Sequence, residues 1–316
     1  MDVGVGLWQL RSTARAPVGW PRLYRDLQED ARLAEELGFH SLWLSEHHFW
    51  YDGWCPSLAV AAAAALGATT RLRVGTGILI LPLHEPDRLA AQCRTLHAAS
   101  GGRFELGIGL GYRDSEYDGL GLRRRTRGRR ADEALDVILA TRRADAGGPE
   151  IWVGGMGERS LARATTRGLG LFLPPTLRLE DTEKVIAASR AAATEAGVTL
   201  GPVGIVKSTW VTRGGAADEQ RGRDDIVRAT KEYAGSWWSL RGELGWGAPD
   251  LLDKQMQRSV DTALVGSPEA VVADLEGLAA AGVDLVVLNV SSDVTRPDYR
   301  DTMRLIASDV LPRVVS

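Results

Sequence analysis

The residues of this chain best equipped for chemistry are Glu46, His47 and His48, in the stretch Trp43-Leu44-Ser45-Glu46-His47-His48-Phe49. Histidine moves protons near neutral pH, and a neighbouring carboxylate can orient it. The stretch stands where an apolar run, Ser41 to Ser45, gives way to a loop. A shared metal is not expected. Adjacent strand residues point to opposite faces, and His40, His84 and His97 add no ligand spacing. A second group is Gly154-Gly155-Met156-Gly157-Glu158-Arg159-Ser160, where glycines lead into a helix start. Free N–H groups and the helix dipole suit a phosphate there, and a tight turn with no ligand is an equal reading. A third is Gly107-Ile108-Gly109-Leu110-Gly111-Tyr112-Arg113, bare enough for a flat ring to lie against the backbone. Lys207, inside an apolar run, is a candidate for a Schiff base, or for a hydrogen bond to a cofactor ring or a carboxylate.

These groups need a scaffold, and the chain supplies a repeating one. Strand patterns run Val3 to Gln9, Ser41 to Ser45, Leu72 to Leu81, Arg103 to Leu110, Ile151 to Gly154, Leu169 to Leu173, Val203 to Val211 and Asp284 to Val290. Amphipathic segments closed by glycine separate them. Continuous apolar strands pair in parallel under helices, and eight such units predict a TIM barrel as one domain over residues 1–316. A doubly wound open sheet is the runner-up, but no Gly-x-Gly-x-x-Gly fingerprint opens the first helix. In a barrel the strand ends carry the site, and every group above falls on one except Lys207, which lies within the seventh strand.

Composition narrows the partners. The 316 residues are 44% hydrophobic and 25% charged, with a net charge of -3, which gives no reason to expect a nucleic acid. The run Arg123-Arg124-Arg125 with Arg127, Arg129 and Arg130 could bind an anion, but such a run is more often a solvated loop and helix start. Two cysteines, Cys55 and Cys93, fit a reducing compartment. With no signal peptide and no membrane span legible, a cytoplasmic protein is expected. Of ten tryptophans, Trp8, Trp50, Trp54, Trp210, Trp237 and Trp238 fall at or beyond strand ends, which suggests an apolar or aromatic substrate pocket.

Five stretches, GFHSLWLSEHHF, LGATTRLRVGTGILILPLHEP, GGRFELGIGLGYRDSEYDGLG, PEIWVGGMGERS and LVGSPEAVVADL, occur in the order found in the luciferase-like flavin-dependent monooxygenases, and the chain resembles that family over essentially its whole length. The resemblance implies a homodimeric TIM barrel. It implies reduced FMN, or in sister groups a deazaflavin, at the C-terminal mouth. The expected reaction is oxygenation of a small apolar or aromatic substrate by O2 through a C4a-(hydro)peroxyflavin, with a separate NAD(P)H:flavin reductase as a further partner. His47 matches the family's histidine near the flavin, with Glu46 or His48 as its orienter. Gly77–Ile78 matches a non-proline cis peptide packed on the ring. Gly109, Leu110, Gly111 and Tyr112 fall beside the ring, and Gly155, Met156, Gly157, Arg159 and Ser160 match the phosphate loop. Luciferase has a reactive cysteine and a phosphate-binding arginine where Gly109 and Leu110 stand here, so Arg113 or Arg159 is the candidate charge. The family's excursion before the fifth strand shrinks to Arg143 to Glu150. Gly235 to Gly247, rich in tryptophan, falls where the family has a mobile lid. Two other activities share this scaffold: deazaflavin-dependent hydride transfer, and flavin binding without catalysis.

Overall fold

The structure, a computed structural model, describes every residue except 8, 9, 11, 13–16, 50–54, 145, 146, 213, 240–248, 291–295, 315 and 316. Side chains are likewise undescribed at 144, 234–239, 249–252, 255 and 296–298. Among the described residues ten strands form: β1 Asp2–Leu7, β2 Ser41–Leu44, β3 Arg73–Thr76, β4 Leu79–Ile80, β5 Phe104–Gly109, β6 Ile151–Gly154, β7 Gly170–Leu173, β8 Val203–Val211, β9 Leu264–Gly266 and β10 Leu285–Val290. All pairings are parallel. β10 pairs with both β8 and β1, which closes the sheet into the expected TIM barrel. β4 continues the third strand beyond a break, and β9 adds a short edge beside the end of β8.

The alternation of the strands separates two cores. Outward positions such as Val5, Leu42, Val74, Ile108, Val153, Leu171 and Ile205 are buried under the surrounding helices in one large apolar layer. Inward positions make a smaller cluster: Trp43, Trp152, Phe172, Val206, Leu285 and Val287. Three aromatic rings thus fill a space that branched aliphatics usually fill. Glycines in the adjoining strands give them room. A Cβ on Gly75 would lie 2.6 Å from the Trp43 indole, and one on Gly204 would lie 3.2 Å from that of Trp152. At the N-terminal end of the interior, Glu105 accepts a hydrogen bond from the Trp152 indole N–H at 2.8 Å and pairs with Arg73. The barrel is therefore plugged below, and its opening lies at the strands' C-terminal ends.

Three stretches depart from the sequence reading. β1 ends at Leu7, and Trp8 and Gln9 lie outside the described residues. The third strand, read as continuous from Leu72 to Leu81, is interrupted at Gly77–Ile78, whose peptide bond is cis as the resemblance implies. Beyond β5, where no element is expected, a five-residue helix, Asp114–Asp118, carries Glu116 and Tyr117 fully buried.

Candidate active site

His47 leaves the end of β2 and sits buried at the barrel mouth. Its Nδ1 lies 3.0 Å from Glu116 Oε1. The same oxygen accepts the His48 backbone N–H at 3.2 Å, and the Arg113 guanidinium stands 4.0 Å from it. An oxygen so surrounded is an acceptor, so Nδ1 carries the hydrogen and Nε2 presents its lone pair. Nε2 faces the Tyr233 hydroxyl at 3.5 Å, and Tyr233 in turn bonds to the hydroxyl of Tyr112. The direction of donation follows: Tyr112 to Tyr233, Tyr233 to His47, His47 to Glu116. Arg113 stacks over both tyrosine rings, at 5.9 and 5.8 Å from their centroids.

Burial sets the charge of this group. It pushes the His47 imidazole down to about 4, with the Glu116 hydrogen bond opposing and Arg113 reinforcing the fall. The ring is neutral at physiological pH and available as a base. Burial also raises Tyr112 well above its ordinary value, so its hydroxyl keeps its proton.

Glu46 and His48 stand in a second cluster. Glu46 Oε1 takes His48 Nε2 at 2.8 Å and His84 Nε2 at 2.9 Å, while Oε2 accepts the Ile80 N–H at 2.5 Å. Burial alone would raise this carboxyl, but the two histidines hold it at about 2. Bonding to Glu46 raises His48 in spite of its burial. The carboxylate oxygens of Glu46 are engaged by His48, His84 and Ile80, and the carboxylate bonded to the His47 ring is that of Glu116. Glu46 therefore anchors β4 and the segment after the cis bond. Among the described residues no group of three or more His, Cys, Asp or Glu is arranged to hold a metal.

The glycines of β5 serve the protein's own side chains. A Cβ on Gly109 would collide with Ile78, and one on Gly107 with the Thr76 carbonyl and Trp43. Ile78 therefore fills the surface expected to lie open to a ring, and its own exposed side becomes the wall. Leu110 gives its carbonyl to Tyr117, and Gly111 takes a left-handed turn over Ile80. The Gly155 to Ser160 turn is open to solvent. Gly155 has φ +114, and a Cβ there would meet Ser160 at 3.1 Å. Gly157 begins the helix Glu158–Thr165 without a side-chain cap, with Arg159 exposed in its first turn and Met156 half-buried behind it. Arg113 is buried beside Glu116, so of the two candidate charges Arg159 alone belongs to this turn.

Of the six tryptophans expected at the pocket, Trp210 alone has a described side chain. Trp43 and Trp152 are interior core. Trp210 closes β8 on the interior-facing side and packs on Gly222 of the helix Ala216–Ser239. Trp8, Trp50 and Trp54 lie outside the described residues, as do the side chains of Trp237 and Trp238 in that helix. Of the Gly235–Gly247 lid, residues 235–239 continue the helix and 240–247 lie outside the described residues. Lys207 points outward from β8, opposite in parity to Val206, and donates to the Leu177 carbonyl at 2.7 Å. It reaches neither a ring in the mouth nor a substrate carbonyl.

Four groups escaped the sequence reading: Glu116, Tyr233, His84 and Asn289. Asn289 follows Leu285 and Val287 on the interior face of β10, level with Ser208 of β8. It is buried, and its Oδ1 has no hydrogen-bond partner among the described residues.

A parallel barrel with a neutral, oriented histidine at its mouth defines an enzyme of proton-coupled chemistry on a bound small molecule. The sequence matches the model of the luciferase-like monooxygenases over residues 7–285, and the chain belongs to that family. It is a monooxygenase by that membership. It is 27% identical over 329 residues to 4-hydroxyprotoasukamycin monooxygenase of Streptomyces nodosus subsp. asukaensis, covering 92% of this chain and 86% of that protein. It is 30% identical over 171 residues to protein y4vJ of Sinorhizobium fredii, where the match covers 47% of this chain and only 49% of the relative. Among solved structures, monooxygenase RslO1 from Streptomyces bottropensis superposes with TM-score 0.81 at 24% identity, covering 99% of both chains. The oxygenating constituent of 3,6-diketocamphane monooxygenase from Pseudomonas putida, in complex with FMN, gives 0.78 at 18%, covering 100% of both. An F420-dependent secondary alcohol dehydrogenase gives 0.74 at 18%, also covering 100% of both. At these identities the structural likenesses establish the fold.

Proposed function

We propose that this chain is the oxygenating component of a two-component system, which binds reduced FMN delivered by a separate reductase and uses O2 to oxygenate a small apolar or aromatic substrate. The observation that carries this reading is the neutral His47, oriented by Glu116 and facing the mouth through Nε2. Bound reduced flavin supplies the two electrons that activate O2. The residues present fit such a group. The uncapped helix start at Gly157 to Ser160 would hold its phosphate. Ser208 and the Asn289 side chain, whose Oδ1 is unsatisfied, would meet the polar edge of its ring. Ile78, over the aromatic floor, offers an apolar wall. His47 accepts or returns one proton at Nε2, Glu116 holds the ring in place, and the Tyr112–Tyr233 pair replaces water as the proton's neighbour.

Dimerisation belongs to the same reading. The helix Leu58–Gly67 carries no charged residue, and its Val60 is 68% exposed, which supports contact with a second copy there. Cys55 and Cys93, both buried free thiols, are consistent with a reducing cytoplasm.

Titration of the protein with reduced FMN and with reduced deazaflavin, each followed by rapid mixing with oxygen, tests the cofactor. Tight FMN binding with reoxidation in two resolved phases is expected. Preferential deazaflavin binding, indifferent to oxygen, would instead support hydride transfer. Within this site Tyr233→Phe is expected to slow turnover by about tenfold, the worth of one neutral hydrogen bond. A loss as large as that of His47→Ala would make Tyr233 a direct participant, and an unchanged rate would remove it from the proton path.

A further inference from the structure

Lys207 breaks the packing rule of the outer barrel wall. Its neighbours on that face of β8 are Ile205 and Thr209, and it is only 3% exposed. Burying an ammonium is costly unless its donors are used. Lys207 spends one of three, on the Leu177 carbonyl at 2.7 Å. Among the described residues no carboxylate reaches ion-pair distance of it. Asp274 acts on it from farther away, and its own side chain is exposed.

The ammonium forms part of the floor of a cleft of about 580 Å³, outside the barrel. Leu179, Leu264 and Leu278 form apolar walls, and Arg223 stands on the rim. The other rim charges are Arg178 and Asp261, 3.6 Å apart and so largely spent on each other, and Asp274. Arg223 makes no ion pair among the described residues. The cleft thus combines a buried cation with spare donors, a second cation above it, and hydrocarbon walls.

We propose that this cleft is a binding site, separate from the barrel mouth, for a small organic carboxylate with an apolar body. The carboxylate takes the remaining Lys207 donors with Arg223 adding its charge, and the hydrocarbon lies against Leu179, Leu264 and Leu278. The arrangement does not depend on which cofactor occupies the mouth. Burial lowers the Lys207 amine to about 8, with Asp274 opposing. A bound carboxylate needs the charged form, so affinity should fall as pH rises through about 8. The other charged groups facing the ammonium are Asp274, whose carboxyl burial raises and Lys207 lowers, and the rim residues Arg223, Arg178 and Asp261.

The test is calorimetric titration of the protein, with FMN saturating the mouth, using octanoate as probe and inorganic phosphate as control. Saturable octanoate binding at one site is expected, abolished in Lys207→Met, weakened about tenfold or more in Arg223→Ala, unchanged in His47→Ala, and not reproduced by phosphate. Absence of octanoate binding overturns the proposal. So does binding that survives in Lys207→Met, or that is lost in His47→Ala. Should Lys207→Met fail to fold, Arg223→Ala decides: undiminished affinity there overturns the site.

Discussion

Replacing His47 by alanine is expected to slow substrate oxygenation by about a hundred- to ten-thousand-fold, the usual worth of a positioned acid–base group, with FMN affinity nearly unchanged. Glu116→Ala should lose almost as much, because the carboxylate fixes Nδ1–H and so leaves Nε2 as the base. The double variant should be little worse than either, since the two act as one unit. Glu116→Gln keeps an acceptor for Nδ1–H and should recover part of the loss, which bulk alone would not explain. The pH profile gives an independent readout. Burial holds His47 at about 4 against an ordinary 6.5, so the acid limb of the rate should fall near 4. Between those values the unfolded chain binds a proton here and the folded chain does not. This group's stabilisation is therefore complete above 6.5 and is lost as pH falls towards 4. Incorporation of labelled O2 into product measures the rate. Full turnover in His47→Ala would sink the assignment.

How far the sequence revealed this site depended on distance along the chain. His47 was legible because the run Ser41 to Ser45 reads as a buried strand, and a polar cluster at a strand end is conspicuous in a barrel. Glu116 was not. It lies 69 residues away in a segment with no long apolar periodicity, and its helix of five residues is too short to leave one. The only local signal is Tyr117 beside it, a large apolar ring amid charges, which indeed is buried. Adjacency points to Glu46 or His48 as the orienter. Both stand in a separate cluster, where the Glu46 carboxylate bonds to Ile80, His48 and His84. Tyr233 joins the site because the helix after β8 crosses to the mouth, a tertiary fact with no pattern of its own. The barrel is legible because the strand runs are mostly apolar, with few polar residues such as Glu105, Lys207 and Asn289 among them. What the pattern could not tell was which face is interior: Leu42-Trp43-Leu44 and Ile151-Trp152-Val153 give no polar side to count from.

That interior placement carries the largest expected effect on stability. Trp43→Ala should cost about 3–5 kcal/mol, the range for removing a large buried ring, read as a lower urea midpoint. The side chain is fully buried. It stacks on Phe172 at 4.6 Å between centroids, meets Trp152 edge-on at 5.7 Å, and donates its indole N–H to Ser41 Oγ at 2.9 Å. Deleting it leaves Ser41 unpaired and a cavity that rigid strands cannot close. Adding bulk should also hurt. In Gly75→Ala the new methyl would lie 2.6 Å from the same indole, costing about 1–3 kcal/mol by overpacking. Trp43→Phe should relieve that clash, so the pair with Gly75→Ala should lose less than the sum of the singles. Strict additivity would mean the two do not meet as described. The consequence reaches the site. Leu7 and Ile78 pack on this cluster, and Ile78 is the wall proposed to face the cofactor. Trp43→Ala should therefore weaken FMN binding as well as folding, although Trp43 lies a layer below the mouth.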